Sequence, residues 1–355
     1  MRTADFDFKF PESLIAYQPL PRGAARLLVV DRDGHSSPKV TVTGALVDFL
    51  NPGDALVLND TLVLRARVKG VSSSGSPVEI LLLRPISNGS TLGEIRLLGM
   101  KWEAMVKPAK RFKIGDRITF SPRMVATVAT VLEGGTRYLD FALDSTQFYS
   151  ELEKTGKIPL PPYIKREAEA EDEIAYQSLF AENPGSVAAP TASLHLSASM
   201  LEGIAAKGVE IHKVTLHVGA GTFRPVQSEN ILDHDMHSEM FSFSETTATA
   251  LNTVRRRGGK IWAVGTTAAR VLETQSNGKG SDRFEPGQGE TRIFIYPGYL
   301  WKGVDGLLTN FHWPKSTLFM LVCSLLGTER TKQIYSEAFA QGFRLFSFGD
   351  AMLIR

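Results

Sequence analysis

A mixed α/β chain carrying a small inserted β-barrel is the fold that this sequence predicts, and three features predict it. From about Ser145 onward, helical and strand-like segments alternate, as in an α/β domain. Between Arg65 and Asp144, short apolar runs such as SPVEILLL, GEIRLLG and MVATVATVL are separated by turn residues and show little helical periodicity. Many short strands at close spacing point to a small barrel or sandwich. Ahead of them, ARLLVVDR and GDALVLND read as strands of the larger domain. The expected division is a large mixed-sheet α/β domain of residues 1–64 and 145–355, with a β-barrel at 65–144 inserted into it.

Taken in order, TGALVDFL is a short helical stretch, and the Asn51 to Asp54 turn leads from it into GDALVLND. Ser72 to Ser76 reads as a hairpin loop. TQFYSELEKTG is a helix closed by Gly156, and the prolines of KIPLPPYIKRE forbid a regular helix after it. LSASMLEGIAAKG, SETTATALNTVRRRGG and TTAARVLET read as helices, with strands at VEIHKVTLHV, KIWAVG and TRIFIYPG. QSNGKGSDRFEPGQGE has the composition of a surface loop, and FRLFSFGDAMLI carries strand-like runs around a Gly-Asp turn.

Composition narrows the class. The 355 residues are 43 % hydrophobic and 22 % charged, which excludes a disordered or fibrous chain. The charge balance, 40 − 38 = +2, does not announce a nucleic-acid partner, although a basic patch can hide in that total. The single cysteine, Cys323, lies in LFMLVCSLLG and reads as a buried small hydrophobe in a core helix. The first residues, MRTADFDFKFPES, show no signal-peptide pattern. No apolar run reaches the roughly 20 residues of a membrane span. A cytoplasmic chain with no membrane partner is the expectation, and the lack of a heptad pattern favours a monomer.

Several polar groupings can carry chemistry. Histidine density rises between His195 and His312. In HVGAGTF, His217 ends a strand, and Gly219 and Gly221 let backbone amides approach a ligand before Thr222; a tight turn is the plainer reading. DHDMHSE packs His234, Asp235, His237 and Glu239 together, as a metal site, as an imidazole–carboxylate pair for proton transfer, or as a polar surface loop. VGTTAAR places Thr266 and Thr267 at a helix start, for capping or for holding a polar ligand. LLTNFHWPKSTLFM delivers Thr309, Asn310, His312, Ser316 and Thr317 between two apolar runs. Asn59, Asp60 and Thr61 interrupt a β-sequence, where they form either a polar turn or ligand contacts. Between Lys101 and Arg117, six Lys or Arg stand against two acids, so Lys101, Lys107, Lys110, Arg111 and Lys113 form either a solvated face or a stripe that tracks phosphates.

The segments FDFKFPESLIAYQPLP, LVLNDTLVLRAR, KIPLPPYIKRE, PGSVAAPTASLHL, VTLHVGAGTFRPV, HDMHSE, AVGTTAARVLET, IFIYPGYLWKGVDGLLTNFHWPKSTLFMLV and FRLFSFGDAML together resemble the S-adenosylmethionine:tRNA ribosyltransferase-isomerase family of queuosine biosynthesis, in order and spacing over the whole chain. One segment departs from the family pattern A-P-T-A-G-L-H-F: Ser193 stands for a glycine and Leu196 for a phenylalanine. A glycine kept for positive φ, or for close approach of substrate, would make Ser193 a perturbation.

The resemblance implies a transferase that moves the ribosyl group of S-adenosylmethionine onto 7-aminomethyl-7-deazaguanine at the wobble position of tRNA with a GUN-type anticodon. The ribose is isomerised to give epoxyqueuosine, and adenine and methionine leave. S-adenosylmethionine would be a consumed substrate, with no cofactor and no metal. A base of near-neutral pKa suits this chemistry, which makes His195, His217, His237 and His312 the catalytic candidates, with Glu239 or Asp235 orienting an imidazole or facing the sulfonium. Gly219, Gly221, Thr222, Thr266 and Thr267 are expected at the nucleoside, and Asn59, Asp60, Thr61, Thr309, Asn310, Ser316 and Thr317 at other polar contacts. Two alternatives stand beside this one: a metal-dependent hydrolase built on His195, His217, His234 and His237, and a catalytically impaired tRNA-binding relative.

Overall fold

The computed structural model describes residues 1–86, 100–132, 135–219, 225–276 and 283–355. The chain forms two compact units: one of Met1–Thr61, Gln177–Asn183 and Pro190–Arg355, and one of Leu62–Tyr176 and Pro184–Ala189. The fold is mixed α/β, with one large mixed sheet and one closed six-stranded barrel.

In chain order the strands are β1 (Arg26–Val30), β2 (Lys39–Val42), β3 (Ala55–Asn59), β4 (Thr61–Val63), β5 (Arg67–Ser72), β6 (Pro77–Pro85), β7 (Met100–Lys107), β8 (Arg117–Thr119), β9 (Val125–Val131), β10 (Thr136–Phe141), β11 (Gly156–Lys157), β12 (Asn183–Ser186), β13 (Glu210–Leu216), β14 (Glu239–Phe243), β15 (Ile261–Val264), β16 (Gly287–Thr291), β17 (Gly306–Asn310) and β18 (Ala351–Ile354). The helices are α1 (Ser145–Thr155), α2 (Ala170–Ala175), α3 (Ala198–Ala206), α4 (Glu245–Arg256), α5 (Gly265–Ser276), α6 (Thr317–Leu326) and α7 (Thr328–Ala340).

The large sheet has the order β16-β14-β13-β3-β15-β17-β18-β1-β2. Its centre, β13-β3-β15-β17, is parallel, and β14 and β18 flank it antiparallel. Strands β3, β15 and β17 are buried at every residue, as continuous apolar runs in a parallel sheet require. Trp262 on β15 lies opposite Gly306 on β17, where a Cβ would come within 2.2 Å of the indole ring. Asp54, 3 % exposed, ties the start of β3 to that of β15: its carboxylate accepts from the Lys260 amide at 2.9 Å and from Trp262 Nε1 at 3.0 Å.

In the barrel, β5-β6-β7-β10-β9-β8 closes through a β5–β8 pairing. Strand β7 alternates buried and half-buried residues, with Trp102, Ala104 and Val106 inward. The expected boundary at Ser145 shifts, because α1 packs with the barrel. Phe148 stacks on Trp102 at 5.7 Å and meets Phe141 edge-on at 4.9 Å, and β11 pairs with β5. The unit therefore extends past α1 to Tyr176 instead of ending at 144.

Other differences are local. TGALVDFL is a 3-10 helix, Thr43–Phe49. The strand expected at TRIFIYPG lies earlier, at Gly287–Thr291, inside the segment read as a loop. There the ladder offered by β14 outweighs a turn-like composition. GEIRLLG lies outside the described residues. Cys323 is buried in α6, and burial pushes its thiol up to about 12, so it is an inert core residue. Among the described residues no helix is long and apolar enough to cross a membrane.

Replacing Asp54 with Ala leaves the Lys260 amide and the Trp262 indole N–H without their acceptor. Asp54→Ala should cost about 3 kcal/mol, read as a lower denaturant midpoint at unchanged slope. A loss below about 1 kcal/mol would show that water replaces the carboxylate.

Candidate active site

The carboxyl ends of β13, β3, β15 and β17 lie on one edge of the sheet, where ligands of open α/β sheets bind. The antiparallel neighbours β14 and β18 begin at that same edge. Asn59, Thr61, His217, Gly219, Glu239, Thr266, Thr267, Thr309, Asn310 and His312 all fall there because the strands that carry them end there.

One group of side chains centres on Glu239, 3 % exposed. Its Oε1 accepts the Gly219 amide at 2.9 Å and lies 3.3 Å from His237 Nε2. Its Oε2 pairs with Arg270 Nη1 of α5. Burial acts to raise this carboxyl, but the Arg270 guanidinium, His237 and the Gly219 amide overcome it and hold the pKa at about 2. Glu239 is therefore ionised across the physiological range, and it can stabilise an imidazolium at His237.

Beside it, His217 Nδ1 meets Thr61 Oγ1 at 2.8 Å. Asn59 finishes β3: its side-chain amide donates to the Leu216 carbonyl at 3.0 Å and accepts the Leu216 amide at 3.0 Å. Asp60 accepts the Thr215 hydroxyl at 2.6 Å. Asn59 and Asp60 thus both bind the neighbouring strand β13.

A second group centres on Asn310. Its Nδ2 contacts His195 Nε2 at 3.1 Å and the Phe346 carbonyl at 3.1 Å, and its Oδ1 accepts the Thr191 hydroxyl at 3.0 Å. Phe346 has φ 71, a left-handed conformation that is costly for a bulky residue. It stacks on Trp313 at 3.8 Å, which holds it there. His312 contacts Thr309 Oγ1 through Nε2 at 2.7 Å.

Burial separates the histidines. Desolvation pulls His195 down to about 4, with help from Arg344 and Arg22, pulls His217 to about 4, and pulls His312 to about 3. All three are neutral near pH 7 and serve as hydrogen-bond partners. His237 keeps a partly exposed ring with its Nε2 turned to the Glu239 carboxylate at 3.3 Å. His234 is half-buried, edge-on to Phe294. Asp235 does not join the site: its side chain is exposed and its ion partner is Arg292 at 3.6 Å. Its position in DHDMHSE gave no hint of this, because a chain leaving a 3-10 turn (Ile231–Asp233) points successive side chains in different directions.

Ser316 is a helix cap, accepting the Phe319 amide at 3.1 Å, and Thr317 is buried at the start of α6. Thr266 and Thr267 open α5 after Gly265, whose φ of +87 turns the chain from strand into helix. Gly221 and Thr222 lie outside the described residues. Among the described residues no three His, Cys, Asp or Glu side chains converge as metal ligands. The four histidines of the hydrolase alternative instead have separate partners. Ser193 sits unstrained in the 3-10 helix Thr191–His195 rather than at positive φ, and Leu196 is fully buried in the core.

The basic stripe is divided. Lys101 stands on the barrel wall opposite Asp140, and Arg111 lines a cleft beside the Ser72–Ser76 hairpin. Lys113 is exposed, and the Lys110 side chain lies outside the described residues. Lys107 lines a larger cleft of about 450 Å³, with Arg67, Lys69, Lys157, Lys165 and Arg166 around it and the apolar Ile158, Leu160 and Ile164 also in its lining. Glu79 and Glu167 are its acidic residues. Glu167 is shared by Lys69 at 2.6 Å and Lys157 at 3.2 Å, which leaves cationic excess.

Sequence reasoning missed Arg270, Thr191 and Phe346. Arg270 had a signal: in GTTAARVLET it follows a run of small residues at the start of the helix and is the segment's one basic residue. Removing its counter-charge tests the Glu239 group. Glu239→Gln should cost about 3–5 kcal/mol near pH 7, because it strands a buried guanidinium. The folded carboxyl titrates at about 2, below its ordinary 4.5, so the wild-type advantage is complete above pH 4.5 and fades as pH falls towards 2. Urea unfolding of both proteins across that range checks it; a difference independent of pH would rule the ion pair out as its source.

The queuosine biosynthesis protein family matches residues 3–354. An S-adenosylmethionine:tRNA ribosyltransferase-isomerase of Symbiobacterium thermophilum is 46 % identical over 100 % of both chains. One of Gloeobacter violaceus is 46 % identical over 99 % of this chain and 95 % of its own. The crystal structure of an S-adenosylmethionine tRNA ribosyltransferase from Thermotoga maritima covers 99 % of this chain and 100 % of its own at 31 % identity, with a TM-score of 0.54. With its fold and nearly all of its length matched, the chain belongs to the S-adenosylmethionine:tRNA ribosyltransferase-isomerase family of queuosine biosynthesis, a family of transferase-isomerase enzymes.

Proposed function

We propose that this protein transfers and isomerises the ribosyl moiety of S-adenosylmethionine onto 7-aminomethyl-7-deazaguanine at the wobble position of tRNA with a GUN-type anticodon, forming epoxyqueuosine and releasing adenine and methionine. The observation that carries this reading is 46 % identity over the entire chain to a relative of that name. S-adenosylmethionine is consumed as a substrate, and no cofactor takes part.

The site suits the proton traffic of such a reaction. A sulfonium acidifies its neighbouring C5′ protons, the departing adenine nitrogen needs a proton, and the attacking aminomethyl group must be neutral. His237 is assigned to proton transfer, with Glu239 balancing the charge it acquires. His195 and His217, neutral and fixed by Asn310 and Thr61, offer hydrogen bonds to substrate without bringing charge. For the RNA, the cleft lined by Lys107, Lys157 and Lys165 supplies phosphate contacts. The wobble base lies in a loop, which lowers the cost of taking it out of its stack.

Adenine release from S-adenosylmethionine that depends on tRNA carrying 7-aminomethyl-7-deazaguanine tests the reading; no release, or release indifferent to that base, ends it. His237→Ala should lower this turnover about 100-fold or more, and retention within tenfold would move the proton-transfer role elsewhere. Charge reversal at Lys107 and Lys165 should weaken tRNA binding and reduce the slope of log affinity against log salt by about 0.7–0.9 for each phosphate that is no longer neutralised. An unchanged slope would remove the cleft from the RNA interface.

A further inference from the structure

Arg270 is 3 % exposed, and one of its guanidinium nitrogens, Nη1, pairs with Glu239. Nε and Nη2 are buried without a hydrogen-bond partner among the described residues. These two are not an arbitrary remainder. The N–H bonds of Nε and Nη2 run parallel along one edge of the guanidinium, and that edge grips a carboxylate through both oxygens. Thr267 Oγ1, on a residue 7 % exposed, is also without a partner among the described residues. Thr267 and Arg270 are three residues apart on α5 and share a face of it. Buried charged donors left unmade are expensive, and native proteins rarely keep them. Glu239 already balances the charge, so the unmet requirement is geometric: an acceptor with two oxygens.

We propose that this free edge of Arg270 binds the carboxylate of the amino-acid moiety of S-adenosylmethionine, with Thr267 Oγ1 as a neighbouring donor. The proposal rests on the ribosyl-transfer reading above and names a subsite for that substrate. S-adenosylmethionine carries one carboxylate and no phosphate, so this is the one anionic group through which it can use such an edge. The first turn of α5 adds its amide dipole on the same side. The carboxylate is remote from the reacting carbon and sulfur, so the contact is made alike in ground and transition states. Its loss therefore appears in KM for S-adenosylmethionine rather than in kcat.

The test compares S-adenosylmethionine with its decarboxylated analogue in wild type, Arg270→Lys and Arg270→Gln, by adenine release with saturating modified tRNA. Wild type should prefer the carboxylate-bearing substrate by about 10- to 100-fold in kcat/KM. Arg270→Lys keeps a cation against Glu239 but has no fork, and should shrink that preference to about threefold or less through KM. Wild type indifferent to the carboxylate overturns the proposal without any variant. So does a full preference retained by both variants, the result of a purely structural role, which would slow both substrates equally. A rise confined to KM for tRNA overturns it as well, since it would give the edge to an RNA phosphate. Failure of wild type to release adenine from S-adenosylmethionine itself is a different result, visible first, and it overturns the ribosyl-transfer reading together with the subsite.

Discussion

A single buried carboxylate, Glu239, fixes the geometry of the site. Taking an ionised carboxylate out of water is unfavourable by many kcal/mol unless charge and hydrogen bonds replace the lost hydration. Here the replacements come from separate parts of the chain: Arg270 from α5, the Gly219 amide from just beyond β13, and His237 from the residues that lead into β14. None can move far without exposing the others to that penalty. The carboxylate therefore sets the position of the helix, of Gly219 and of the imidazole.

The sheet makes this arrangement possible by ending its strands together. Asn59 and Asn310 solve the same problem at the ends of β3 and β17. A buried strand that stops leaves backbone groups without a ladder partner, and an asparagine carries both a donor and an acceptor with which to continue the pairing. Asn59 does so towards Leu216, and Asn310 towards the Phe346 carbonyl and His195. Residues that read as ligand contacts are thus partly a frame that holds the strand ends in place. The strain at Phe346 sits in this frame, where stacking on Trp313 offsets it.

Much of the fold was legible because its signals are periodic. Alternation in β7 and β9, continuous apolar β3 and β15, and the Ser and Asp caps of α1, α4 and α6 are all local patterns. The extent of the barrel unit was not legible, since it depends on Phe148 filling the space beside Trp102, a pairing of residues far apart in sequence. The histidines were legible as a set and not as individuals. Desolvation marks out His195, His217 and His312, and a neighbouring carboxylate marks out His237, and neither is written in spacing. Asp235 shows the converse, a residue placed with the right neighbours in sequence and pointed at solvent in space.

The departure at Ser193 shows which constraint acts on that segment. A glycine can be required for its backbone or for its lack of a side chain. The backbone reason does not hold here, because residue 193 occupies an ordinary 3-10 turn whose amide bonds the Pro190 carbonyl at 2.8 Å. The space reason is met by a side chain that is fully enclosed, with an Oγ that finds no partner among the described residues. An unpaired buried hydroxyl weakens the fold by a modest amount, on the order of 1–3 kcal/mol, and leaves neighbouring backbone where it was. The pairing of His195 with Asn310 two residues on is intact, and Leu196 closes the core behind it. Ser193 thus leaves one buried hydroxyl unpaired among the described residues without displacing the strand-end contacts beside it.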